Sequence, residues 1–226
     1  MRSTRPANNA RQRMVPGPRA VGPPPLPTGL CAAWSHHAAE LAVPLGAGLE
    51  RWAESPSVQT MVKDGLLARL LPGIFLPPDA MRSAIDRALA LGCALGGRLQ
   101  SYHVIAGPSA AWVLLGGEPP APAELISPAH RGPVAGTTVR HCRLRPLEVE
   151  TIGGAPVTEP VRTAVDLLRF SPDHVAQPAL TRLIASGHVP EGAVEQRLWE
   201  MERYPGAREA RHRLRRMMLE PAETAA

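Results

Sequence analysis

No run of 18 uncharged apolar residues occurs in this 226-residue sequence, so a membrane-spanning helix is not expected. Residues 1–20 carry five arginines but no apolar segment, which excludes a secretory signal and leaves a soluble, cytoplasmic protein as the expectation. Cysteine is scarce: Cys31, Cys93 and Cys142 are widely spaced with no C-x-x-C pair, so neither a disulfide framework nor a zinc knuckle is indicated. The eight histidines form neither H-x-x-x-H nor H-E-x-x-H, and no metal or other cofactor is expected. Lysine is nearly missing, with Lys63 alone beside 24 arginines, and no acidic pair leads into it, so a D…E-x-K nuclease site is absent. Gly107-Pro108-Ser109-Ala110-Ala111 is G-x-S-x-A rather than G-x-S-x-G, and Ser109 is read as a helix-start residue. With no nucleophile beside a base, an enzyme is not expected.

What is present begins with charge, and its position matters more than its sum. Arg2, Arg5, Arg11, Arg13 and Arg19 account for the whole net charge of +5, because residues 21–226 hold 20 basic and 20 acidic groups. The body of the chain is neutral, and the 44% hydrophobic content suffices for a core. Residues 1–27, rich in Arg, Pro and Gly, read as a disordered arm or as a segment that touches phosphates.

The fold class expected is α+β: an N-terminal winged helix-turn-helix over 28–78, a small central α/β region with short strands, and a C-terminal helical segment. Leu30 to Leu41 reads as a helix interrupted before Pro44, and Leu49 to Ala53 as a second short one. Ser55-Pro56 is a cap with proline at N1, opening a third helix that ends at Gly65. Val58, Met61 and Val62 would face inward, leaving Ser57, Gln59, Thr60 and Lys63 outward. Leu66–Leu71 and Ile74–Leu76 follow as extended runs joined by the turn pair Pro72-Gly73. Helices followed by a tight hairpin suit DNA, because a helix fits the major groove and presents short polar side chains to base edges while the hairpin touches backbone. Arg69 is the wing cation. A neutral module of this shape can equally bind protein.

Asp79 is expected to cap a helix from Ala80 to Ala94, followed by an extended Tyr102–Ala106 and a short apolar helix Pro108–Leu115. Strands are expected at 125–127, 136–143, 149–152 and 155–157, the last two joined by Gly153-Gly154. His130, Arg131, Arg140, His141, Arg143 and Arg145 gather there, as a solvated face or a basic binding face. Thr158 is a good N-cap for a helix with Pro160 in its first turn; Val161, Ala164, Val165 and Leu168 form its apolar stripe, and Arg162 and Asp166 can pair four apart on the surface. Three further helices follow, over 172–186, 191–203 and 205–218. The last carries Arg208, Arg211, Arg213, Arg215 and Arg216 against Glu209 alone, as a phosphate-contacting element, a dock for an acidic partner or a solvated terminus.

These segments together resemble the AbiEi-like antitoxin family of actinobacteria, over about residues 45–218. The likeness is carried by Pro72-Gly73-Ile74-Phe75-Leu76-Pro77, Gly107-Pro108-Ser109-Ala110-Ala111-Trp112, Ile126-Ser127-Pro128-Ala129-His130-Arg131 and Pro205-Gly206-Ala207-Arg208. Its most specific element is the T-x-P-x-R-T-x-x-D-L pattern from Thr158 to Leu167. The resemblance implies a winged helix that binds double-stranded operator DNA and represses its own promoter. It also implies an antitoxin domain over 79–226 that counteracts a nucleotidyltransferase-like toxin without a stable complex; the endonuclease-like domain that follows in some relatives is not expected here. On this reading Ser57, Gln59, Thr60 and Lys63 approach bases or phosphates, Arg69 the backbone, and Arg208, Arg211 and Arg215 a second stretch of DNA. The alternative is a protein-interaction module that docks through the basic terminal helix.

Overall fold

The computed structural model describes residues 31–129 and 134–219; the expected arm over 1–27, together with His130 and Arg131, lies outside them. The described chain is mixed α+β, with two small sheets and eight α-helices. None of those helices is long and apolar enough to cross a membrane.

Helix α1 (His36–Ala47) starts at Ser35, whose hydroxyl accepts from the Ala38 amide. It runs through Pro44 rather than stopping before it, burying Ala38, Ala39, Ala42 and Leu45. The proline forgoes one helix hydrogen bond near the C-terminal end, a loss that the packing outweighs. The expected second helix is instead strand β1 (Glu50–Arg51). It pairs antiparallel with β3 (Ile74–Leu76), which also pairs with β2 (Ala68–Leu71), giving the order β1-β3-β2. An edge partner thus overrides the helix propensity of Leu-Glu-Arg-Trp-Ala. Between β1 and β2 lies one helix, α2 (Pro56–Lys63), opened by Ser55 as expected. Its Val58, with Met61 and Val62, packs on Leu67 and Phe75 in a small core of its own.

Helix α3 (Ala84–Leu95) starts four residues later than expected. Asp79 sits in a short 3-10 turn, and the cap is Ser83 in a capping box with Asp86, which satisfies two otherwise free amides at once. Residues 88–95 are all buried, and α1 lies along α3 rather than along α2. Gly92 permits that approach, since a Cβ there would stand 2.4 Å from Cys31 Sγ. The expected run of three helices ahead of the hairpin is therefore split: β1 separates α1 from α2, and α1 belongs to the larger core.

The second sheet has the order β6-β5-β4-β8-β7. β4 (Val104–Ile105) leads into α4 (Gly107–Leu115) and returns as β5 (Ala123–Ser127), antiparallel to β4 and parallel to β6 (Thr137–His141). β7 (Val149–Ile152) and β8 (Ala155–Thr158) form the expected hairpin, and β8 runs parallel to β4. Four helices follow: α5 (Pro160–Phe170), α6 (Asp173–Ala185), α7 (Ala193–Glu200) and α8 (Ala207–Leu219). Two main cores result, one joining α1, α3 and both sheets, the other inside α5–α8. α4 is apolar all round because Ala110, Trp112 and Val113 enter the first core and Ala111 the second.

Candidate functional site

The sequence-selected residues of α2 stand together on one outward face: Ser57, Gln59, Thr60 and Lys63 are all exposed. Thr60 directs its hydroxyl to the Pro56 carbonyl, 3.0 Å away, so that donor is already engaged. Arg69, on β2 beside α2, is not free. Its Nη2 pairs with Glu54 Oε2 at 2.9 Å while Glu54 Oε1 accepts from the Gly73 amide at 3.1 Å, stapling the hairpin turn to the strand approach. Arg51, Lys63 and Arg69 face Glu50, Glu54 and Asp64 over residues 50–76, so this surface is neutral.

The basic side of α8 is largely consumed within the fold. Arg213 and Arg216 both reach Asp173, Arg213 also donates to the carbonyls of Leu168 and Ser171, and Arg215 pairs with Glu195. Arg211 lies over the Trp199 ring, its carbon 3.9 Å from the centroid. Arg208 alone among them is exposed without an ion pair among the described residues. The expected positive surface is thus mostly an internal clamp tying α8 to α5, α6 and α7. No three His, Cys, Asp or Glu side chains among the described residues converge as a metal site would require.

The larger correction concerns α5. Its N-cap is Glu159, whose carboxylate accepts from the Val161 and Arg162 amides, while the Thr158 and Thr163 hydroxyls bond each other inside the protein at 2.7 Å. Arg162 and Asp166 do pair four apart, but at 2% and 0% exposure rather than on the surface. Arg162 Nε donates to both Asp166 oxygens at 3.0 and 3.1 Å, its Nη1 to Glu148 at 3.0 Å, and its Nη2 to Cys142 Sγ at 3.6 Å. Glu148 also receives Arg197 from α7, so one network joins the second sheet to two helices. Burial pushes the Asp166 carboxyl up, against the pull of Arg162, Arg140 and Arg169. Burial acts upward on Glu148 as well, but the Arg145 amide, Arg197 and Arg162 outweigh it and leave that carboxyl lowered. Arg140 and Cys142, two residues apart, turn toward Glu124 and this network, so Arg140 is no part of an open basic surface.

Next to the network lies a cleft of about 720 Å³ between α4 and α6, floored by β5. Glu124 reaches it from the second position of a fully buried strand, with Arg140 on its Oε2 and the Ser109 hydroxyl accepting from its amide at 2.7 Å. Gly107 makes room for that carboxylate: a Cβ there would fall 2.2 Å from Oε1, and the residue's φ of +51° suits glycine. A single acid inside the apolar run Ala-Glu-Leu-Ile-Ser was the available sequence signal for this site, since a charge in a buried strand needs a reason.

Burial pushes the Glu124 carboxyl up from 4.5 to about 7, with Arg140 opposing and Asp166 reinforcing. Because the folded value lies above the unfolded one, the stability that Glu124 contributes is fully present below about pH 4.5 and is lost as pH rises through about 7. The whole swing corresponds to about 3 kcal/mol. Urea unfolding of the wild type and of Glu124→Gln, compared at about pH 4.5 and about pH 8, is expected to show the wild type losing that amount relative to the variant. A difference that does not change with pH would refute it. No protein-family model and no curated protein matches this chain.

Proposed function

We propose that the protein is a DNA-binding antitoxin of the AbiEi-like kind, which represses its own promoter and opposes a nucleotidyltransferase-like toxin. One observation carries the DNA half of this reading. α2 turns Val58, Met61 and Val62 onto Phe75 and presents Ser57, Gln59, Thr60 and Lys63 outward beside the β2–β3 hairpin. Short polar side chains on an outward helix face, flanked by a hairpin and with strand order β1-β3-β2, suit a reduced winged helix reading a groove. The antitoxin half rests on the resemblance, whose T-x-P-x-R-T-x-x-D-L residues are here a buried structural element.

The neutral α2 surface has a consequence for affinity. Phosphate neutralisation falls mainly on Arg2, Arg5, Arg11, Arg13 and Arg19. An electrophoretic shift with the protein's own upstream region at two salt concentrations is expected to give a log–log slope that shrinks by about 4.5 when those five arginines are changed to glutamine, following roughly −0.9 per phosphate contact. Gln59→Ala should relax base preference while leaving that slope unchanged. No shift of the upstream region at low salt would remove the DNA reading. Co-expression with the product of the neighbouring reading frame, scored as growth rescue, tests the antitoxin half separately.

A further inference from the structure

We propose that the cleft between α4 and α6 binds a nucleobase-sized planar heterocycle whose edge carries adjacent N–H donors. Its volume of about 720 Å³ falls within the roughly 300–1,000 Å³ of small-molecule sites. Pro108, Trp112, Pro119, Phe170 and Val175 supply flat apolar walls. Glu124 and Ser171 line the cleft at 6% and 5% exposure, and Glu124 Oε1 and Ser171 Oγ have no hydrogen-bond partner among the described residues. Arg140 serves only the other oxygen of Glu124. A buried acceptor of this sort is costly until a donor reaches it, so the site favours a ligand that brings N–H groups. It does not favour an anion: Glu118 and Glu124 both line the cleft, and Arg182 spends its Nη2 on the Leu115 carbonyl, 2.8 Å away.

The cleft wall points to a regulatory consequence, and this part rests on the DNA reading above. Glu118, Pro119 and Ala121 also border a neighbouring cleft of about 440 Å³ whose other side is Val62, Lys63 and Arg69. A ligand that shifts this shared wall changes the surroundings of Lys63 on the proposed reading face, which makes the heterocycle an effector of DNA affinity.

Calorimetric titration of the full chain, without DNA, tests the site with guanosine, which offers two adjacent N–H donors on one edge, and inosine, which offers one. At about pH 8, where Glu124 is ionised, saturable guanosine binding about tenfold tighter than inosine is expected, the difference made by one hydrogen bond to a charged acceptor. Glu124→Gln should abolish that preference. Ala179→Phe, which fills the cleft from α6, should abolish binding of both nucleosides while circular dichroism keeps its helical signal. No saturable guanosine heat with the wild type, or unaltered binding in a folded Ala179→Phe protein, overturns the site; if that variant does not fold, the guanosine preference and its loss in Glu124→Gln decide alone. Guanosine added to the operator shift tests the coupling: a changed affinity supports it, whereas an unchanged one with nucleoside bound overturns the coupling and not the site. Absence of any shift overturns the DNA reading without touching the titration.

Discussion

Asp166→Ala is expected to destabilise the fold by about 3–5 kcal/mol, the range for breaking a buried ion pair from one side. The side chain is fully buried, both of its oxygens accept from Arg162 Nε, and Arg169 stands 4.0 Å away. Removing the carboxylate leaves a guanidinium at 2% exposure with an unpaired Nε, held only through Glu148 and Cys142. For a chain of this size such a loss should lower the melting temperature by roughly 10 °C or more. Replacing both partners, Arg162→Met with Asp166→Leu, should land closer to wild type than either single change, because no uncompensated charge remains. Thermal and urea unfolding of Asp166→Ala, of Arg162→Met and Asp166→Leu singly, and of the double variant measures this. A cost below about 1 kcal/mol for Asp166→Ala would mean that the pair is solvated and interchangeable, as a surface pair is.

Phe75→Ala should cost a similar amount, about 3–5 kcal/mol, but distribute it differently. Phe75 is fully buried on β3, beneath α2, and it holds the smallest core of the molecule together with Val58 and Leu67. Trp52 is its aromatic neighbour, with ring centroids 6.3 Å apart. An eight-residue helix has little stability of its own, so without this seat α2 should open before the rest of the protein does. Hydrogen exchange is expected to show the amides of Gln59 to Asp64 losing protection while those of α3 and β5 retain it. On the proposed DNA-binding function, operator affinity should fall in parallel, since the exposed face of α2 no longer has a fixed orientation. Uniform loss of protection across α2, α3 and β5 would show instead that the small core is not separable from the large one.

Both experiments touch places where sequence and structure diverge for a definable reason. Ser55-Pro56 and Gly65 bracket α2 by local chemistry, and the turn pairs Pro72-Gly73 and Gly153-Gly154 place two hairpins correctly, because caps and turns act over three or four residues. Leu49 to Ala53 misleads, because strand pairing with Ile74 and Phe75 is information from elsewhere in the chain. Asp79 was a plausible cap, but Ser83 had Asp86 at the right spacing and a better box. The arginines of α8 reveal the same limit: Asp173 lies 40 residues before Arg213, and no window on the helix contains it.

For Arg162 and Asp166 the i, i+4 spacing determined that the two would meet, and the periodicity of Val161, Ala164, Val165 and Leu168 determined that a helix would carry them. Neither could say which side of that helix faces solvent. The tertiary structure decided this by packing α4 against one flank of α5 and α6–α8 around the others, which buries the helix on nearly all sides. Once burial is imposed, a charge pair that would be weak in water must be satisfied in full, so Glu148, Arg197 and Cys142 converge on it from three other segments. The same holds for the cleft: sequence supplied one acid in an apolar strand, and only the packing of α4 over β5, with α6 beside α4, buried Glu124, raised its carboxyl pKa and gave it a cavity to face.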